Sequence, residues 1–359
     1  MIRELILPLT KYFTPVNVFS YLTFNSAFAA LTTLLICFLF GSKIIEKLRA
    51  LKMGQPVRED GPQTHLVKKG TPTMGGLLII LSVVVSMLIW GNLESITIWI
   101  TMGAFVAFGV IGFLDDFLKV TRNNSDGLRA WVKLIAQFAI AITVVLLIYF
   151  TGDENQTALY IPFLKNPVVD MGWLWIPFAV LLVVGESNAV NISDGLDGLL
   201  AGLLIIFFIT LAIITYITGR IDYSEYLGMP YVPEAGELTV FCLAAAGACV
   251  GFLWFNAYPA EVIMGDVGSL SLGGVIGVIS LIIKKELLIL VIGGVFVLEI
   301  ASVIIQVVSY KTRKKRVFKM APLHHHYELM GWVETKTVIR FWILGGLFAI
   351  IALSTLKIQ

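Results

Sequence analysis

Two adjacent carboxylates close an apolar stretch at Ile111-Gly112-Phe113-Leu114-Asp115-Asp116, and a third acid, Asp266, opens another within Met264-Gly265-Asp266-Val267-Gly268-Ser269. Neighbouring acids repel one another, and a membrane-span end usually carries Lys or Arg, so the pair calls for a counter-charge. Mg2+ is a natural one, since it binds through one or two carboxylates and keeps waters and substrate phosphate oxygens. Adjacent helix positions point about 100° apart, which predicts separate roles for Asp115 and Asp116. A Gly-Asp-x-Gly-Ser turn into a helix presents backbone N–H groups suited to phosphate. Asp266 can act there only through a cation, so it is expected to be a metal ligand, with a simple N-cap as the plainer alternative.

Three further clusters carry polar groups. Asn188, Asn191, Asp194 and Asp197 recur at every third position of a run that joins two apolar stretches with almost no loop, and Gly195 and Gly198 let its backbone bend towards a ligand. An ordinary Asx/Gly turn accounts for the glycines and Asp194, but not for two asparagines at membrane depth. His324-His325-His326-Tyr327-Glu328 holds three of the four histidines, the other being His65. Consecutive residues do not converge as tetrahedral zinc ligands and no cysteine lies nearby, so imidazoles bonded to phosphate oxygens fit better. Lys68 and Lys69 precede the small-residue turn Gly70-Thr71-Pro72-Thr73-Met74-Gly75-Gly76. Lysine binds phosphate as a point charge, though lysines here also serve to fix topology.

The elements that must position these groups are membrane helices. Of 359 residues, 58% are hydrophobic and 14% charged, against about 25% charged in a soluble domain. Apolar runs of spanning length recur at 22–42, 74–90, 96–114, 131–150, 173–190, 197–218, 239–258, 267–283, 287–308 and 338–356. The fold class predicted is all-α, ten transmembrane helices in a single polytopic domain over 1–359. The loops at 43–72, 117–133 and 311–336 hold most of the 26 basic residues. With ten spans all three fall on one side, which the positive-inside rule makes cytoplasmic, leaving both termini periplasmic. Lys284 and Lys285 fall on the other side, against the rule. The same count brings all five polar clusters to the cytoplasmic face. Cys37, Cys242 and Cys249 sit inside apolar runs without metal-ligand spacing, and nothing points to nucleic acid.

Asp115-Asp116, the NAVNISDGLDG run, FLWFNAYPAEVIMGDVGS and APLHHHYE resemble the polyprenyl-phosphate N-acetylhexosamine-1-phosphate transferases from about residue 17 to the C-terminus. The triple histidine and the Gly70–Gly76 turn are most similar to the branch acting on muramoyl-pentapeptide. The resemblance implies transfer of phospho-MurNAc-pentapeptide from UDP-MurNAc-pentapeptide to undecaprenyl phosphate, giving lipid I and UMP, in the bacterial inner membrane among its lipids. It also implies Mg2+ and a homodimer. Position by position, Asp115, Asp116 and Asp266 match the family's catalytic and metal-binding acids, and His324 its essential histidine. Lys68, Thr73, Asn191, Asp194, Asn256, Gly265, Ser269, His325 and His326 match positions around the nucleotide and phosphates, and Asn188 is grouped with them as substrate-binding. Lys119 and Lys133 match basic residues near the diphosphate. Ile263 departs from the pattern: many members carry an aromatic residue there, so apolar contact must replace any stacking on uracil.

The mechanism expected from these residues has Asp266 and Mg2+ holding the donor diphosphate while Asp115 or Asp116 receives the proton of the attacking lipid phosphate. A two-step route through an aspartyl-phosphate is the alternative. The rival functions are a sister enzyme that transfers GlcNAc-1-phosphate and a secondary transporter, whose acids belong near the bilayer midplane. Glu299, inside a predicted span, has Gln306 two turns on as its expected partner.

Overall fold

A chain crossing a bilayer must satisfy its backbone N–H and C=O groups internally, and helices do so segment by segment. The computed structural model describes residues 14–51, 70–122, 127–153, 155–162, 164 and 167–357. The first helices are α1 (Leu22–Ala50), α2 (Gly76–Trp90), α3 (Ile96–Thr121) and α4 (Ala130–Thr151). A two-stranded antiparallel hairpin follows, β1 (Ala158–Leu159) with β2 (Val169–Asp170). Then come α5 (Trp175–Ile192), α6 (Leu199–Thr218), α7 (Ile221–Leu227), α8 (Ala235–Asn256), α9 (Gly265–Ile282), α10 (Glu286–Ile292), α11 (Gly294–Arg313), α12 (Leu323–Leu329) and α13 (Glu334–Thr355).

Nine of the described helices are long and apolar enough to cross a membrane. The second expected run forms α2, with 15 residues, about 22 Å at 1.5 Å per residue. It is shorter than predicted because Met74 and Gly75 are held outside the helix by pairing with a distant segment. The run expected at 287–308 breaks into α10 and α11 at Gly293. The apolar run before Asp115 does not end the helix, since α3 continues to Thr121 and carries both aspartates in its last turns.

Small residues let these helices approach closely, the usual basis of packing where lipid removes the hydrophobic drive. On α8, a Cβ at Gly247 would lie 2.4 Å from the Ala30 carbonyl oxygen of α1. On α9, Gly273 and Gly277 meet the Ser187 and Val183 backbone of α5, where a Cβ would come within 2.8 Å. This makes α9 the buried centre, packed on α2, α3 and α5. Outer helices instead expose Leu31, Leu35 and Leu39 on α1, Ile304, Ile305 and Val308 on α11, and Ile343 and Ile350 on α13. Exposed apolar faces on that scale suit acyl chains, not water.

The end away from the polar clusters is closed by its own contacts. Ser95 and Thr97 both donate to the Glu234 carboxylate, and Trp175 Nε1 donates to Glu286 Oε1 at 3.2 Å. Lys284 and Lys285 are accounted for here: both are buried, Lys284 Nζ lies 3.8 Å from Asp153 Oδ2, and the Lys285 ammonium stands over the Tyr160 ring.

Candidate active site

At the opposite end, one carboxylate oxygen from each of Asp115, Asp116 and Asp266 lies within 4.8 Å of the others. Two glycines make the approach possible. Gly112, one turn before the pair, lies against α9 so closely that a Cβ would stand 2.1 Å from the Asp266 carbonyl oxygen. Gly265 has φ +72°, and a Cβ there would meet Asp116 Oδ2 at 2.4 Å and Thr73 Oγ1 at 2.7 Å, so glycine alone fits. The 100° separation of Asp115 and Asp116 does not keep their oxygens apart; it shows instead in their separate anchors. Leu128 N donates to Asp115 Oδ1 at 2.8 Å, and Val267 N to Asp116 Oδ2 at 3.4 Å.

Two ammonium groups close on the acids. Lys119, a helical turn beyond the pair on α3, places Nζ 2.5 Å from Asp115 Oδ2, 3.0 Å from Asp266 Oδ2 and 3.5 Å from Asp116 Oδ1. Lys133 on α4 reaches Asp266 Oδ2 at 2.6 Å and Asp115 Oδ2 at 3.8 Å. Three carboxylates face two ammoniums, so one negative charge is left over when all are ionised. The donor set is three hard oxygens without sulfur or imidazole, the ligand chemistry that suits Mg2+. Among the described residues this is the one group of three His, Cys, Asp or Glu side chains able to share a metal ion.

Neighbouring segments frame the triad. Ile263 N donates to Pro72 O, Gly75 N to Ile263 O and Gly76 N to Met264 O, each at 2.9 Å. This pairing draws Thr73, buried, against Gly265 and fixes Ile263 through its backbone. Ser269, one turn along α9 from Asp266, donates to Asn191 Oδ1 at 2.8 Å and so ties in the end of α5. Asn188 Nδ2 donates to Gln137 Oε1 and Val184 O, both at 2.8 Å. Asn256 accepts from Gly198 N at 3.1 Å and donates to Val262 O at 2.9 Å, locking the turn after Asp194 onto the loop before α9. Asp197, left out of the expected site, receives Ala260 N at 3.0 Å and belongs to the same lock.

The three histidines on α12 diverge. His324 is wholly buried, with Nδ1 3.2 Å from Glu299 Oε2 of α11. Its Nε2 faces Gly195, where a Cβ would come within 2.0 Å. His325 Nδ1 and Glu328 Oε2 are 2.8 Å apart, and His326 Nδ1 accepts from Lys319 N at 3.1 Å. Separate partners agree with the expectation that they do not converge on zinc. Glu299 does not pair with Gln306: the latter receives Val317 N and Phe318 N and donates to Phe318 O, capping the turn after α11. Lys68 lies outside the described residues. Asp115, Asp116, Asp266, Lys119, Lys133, Thr73 and Gly265 thus form one centre; Asn191, Ser269, Asp194 and His324 border it through the 191–195 turn. Asn188 and Asn256 are engaged by protein partners. Gln137, which receives Asn188, and the link from Glu299 to His324 escape sequence reasoning, and the signal available was a polar side chain within an apolar run.

The sequence pattern of glycosyl transferase family 4 matches residues 97–284, the stretch that supplies the three aspartates and both lysines. The first signature of the phospho-N-acetylmuramoyl-pentapeptide-transferases matches residues 68–80, the segment paired with Ile263. Over all of both chains, the protein is 49% identical to the phospho-N-acetylmuramoyl-pentapeptide-transferase of Thermodesulfovibrio yellowstonii and 50% identical to that of Rickettsia bellii. The chain belongs to glycosyl transferase family 4. Within the family it groups with the phospho-N-acetylmuramoyl-pentapeptide-transferases, as the histidine motif and the Gly70–Gly76 turn led one to expect. Because the likeness runs from end to end, it takes in α11 and α12, beyond the stretch that the family pattern matches.

Proposed function

We propose that this chain transfers phospho-MurNAc-pentapeptide from UDP-MurNAc-pentapeptide to undecaprenyl phosphate in the bacterial inner membrane, forming lipid I and UMP in the first membrane step of peptidoglycan synthesis. The observation that carries this is the aspartate triad with its two lysines at one end of a multi-pass membrane protein. Its full-length relatives bear the name of that transferase. Acids gathered at one end, not at mid-bilayer, weigh against a transporter.

Phosphoryl transfer is catalysed chiefly by positioning and charge neutralisation. Asp115, Asp116 and Asp266 would hold Mg2+, which when bound neutralises charge on the donor diphosphate. An oxygen of the lipid phosphate attacks the phosphorus bearing the sugar; that P–O bond forms as the bond to UMP breaks, and UMP leaves with the electron pair. At pH 7 much of the lipid phosphate has already lost its second proton, whose pKa is near 6, and Asp115 or Asp116 takes the remainder. Lys119 and Lys133 then trade carboxylate for phosphate oxygens, and the first turn of α9 adds backbone donors. A phospho-sugar adduct trapped on the enzyme without lipid would overturn this single displacement in favour of the aspartyl-phosphate route.

Purified protein is expected to release UMP from UDP-MurNAc-pentapeptide, undecaprenyl phosphate and Mg2+, and not from UDP-GlcNAc. Chelation with EDTA is expected to lower the rate by at least about 100-fold, with recovery on Mg2+ addition. Release from UDP-GlcNAc alone places the protein in the sister branch, and release unaffected by EDTA removes the metal from the reading.

The proposed topology counts α2 as a tenth span, with the site face cytoplasmic and both termini periplasmic; the homodimer implied by the resemblance belongs to the same proposal. Cysteines introduced at Tyr226 on α7 and at Arg316 after α11 test it, since both positions are exposed while Cys37, Cys242 and Cys249 are fully buried. A membrane-impermeant maleimide is expected to label the first in intact spheroplasts and the second only after permeabilisation. The reverse pattern inverts the topology.

A further inference from the structure

His324 and Glu299 stand out among the buried polar groups. They sit 0% and 1% exposed on different elements, α12 and α11. Their facing atoms, Nδ1 and Oε2, are 3.2 Å apart, yet off the hydrogen-bond line, and neither ring nitrogen nor either Glu299 oxygen has another hydrogen-bond partner among the described residues. Two polar groups wholly withdrawn from water and without a hydrogen bond are costly unless they serve something. The far side of the ring settles what that is. Nε2 points at Gly195, in the turn whose Asn191 is bonded to Ser269, one turn from Asp266.

We propose that Glu299 is the positioning residue for His324. Lying 3.2 Å from Nδ1, its carboxylate favours the imidazole proton on that nitrogen by charge and limits how the ring can turn, so that Nε2 stays against the 191–195 edge of the transfer site. The inference rests on the transferase reading above. It follows a general rule of buried histidines, whose outer nitrogen sets what the working nitrogen can do. Gln at 299 keeps the size but can present an amide N–H to Nδ1 and select the other tautomer, whereas Asp keeps the charge on a shorter arm. The neighbouring His325 has its own acid, Glu328, and is not in competition for Glu299.

The test is a double-mutant cycle on the full-length enzyme, with E299Q, E299D, H324Q and E299Q/H324Q compared for UMP release. E299Q is expected to lower kcat by about 10- to 100-fold with KM for the UDP donor within about twofold, the scale of losing a partner that orients a working side chain. E299D is expected to recover part of that loss, and E299Q is expected to cost little more once His324 is Gln. Wild-type kcat in E299Q, or losses from E299Q and H324Q that multiply, overturns the proposal. Thermal unfolding of the same four variants and wild type reads the pair without turnover: Tm shifts that add without coupling also overturn it. A silent wild-type enzyme whose Tm shifts are coupled overturns the transferase reading instead.

Discussion

Asp266→Asn is expected to lower UMP release by about 100- to 1,000-fold while leaving the fold intact. The substitution is isosteric, so packing at the start of α9 is conserved, and the effect lies in charge. Asp266 Oδ2 receives Lys133 at 2.6 Å and Lys119 at 3.0 Å. Removing its charge leaves two carboxylates against two lysines, with no surplus negative charge to draw in a dication. The range corresponds to about 2.7–4 kcal/mol of lost transition-state stabilisation, the usual scale for one preorganised electrostatic contact. Stability should fall modestly, because Lys133 and Lys119 each lose an ion-pair partner, a loss offset in part by relief of repulsion among three crowded carboxylates. The decisive measurement pairs UMP release with a Tm in the same preparation. Activity within a few-fold of wild type would remove the triad from the chemistry; activity and Tm lost together would mean a folding defect.

What the sequence made legible follows from the solvent. Charges are so costly in an apolar run that Asp115, Asp116 and Asp266 announce themselves, and an even number of runs between them puts all three at one face. His324 is visible through its rarity. The centre's supporting parts give no such signal. Gly112 reads as one more small residue in an apolar stretch, though its lack of a side chain is what lets α3 touch α9. The pairing of 72–76 with 263–264 shortens α2 below its apolar run, and such long-range backbone pairing has no local periodicity to betray it. Glu299 is conspicuous in its span, but pairing it within its own helix favours Gln306; its neighbour comes from α12, after a loop that reverses the chain.

Gly112→Ala is expected to lower kcat by at least about 100-fold although no charged or polar atom is altered. The added Cβ would lie 2.1 Å from the Asp266 carbonyl oxygen, 2.3 Å from its carbon and 2.5 Å from Val267 N. These are backbone atoms in the first turn of α9, which cannot swing aside as a flexible side chain does, so the helices must part by about 1 Å to reach ordinary contact. α9 has little room to yield: Gly273 and Gly277 hold it against α5, and at Gly76 a Cβ would be 2.1 Å from Gly268 N on α2's side. The strain therefore falls on the geometry of the three carboxylates, and a displacement of that size at a reacting centre costs on the order of 100-fold. Overpacking adds a stability loss of about 1–3 kcal/mol, read as a lower Tm. Gly103→Ala is the control, on the same helix, where an added Cβ would meet nothing within 4 Å; it should retain wild-type kcat and Tm. If Gly112→Ala behaves like Gly103→Ala, the close approach of α3 to α9 is not what holds the aspartates together.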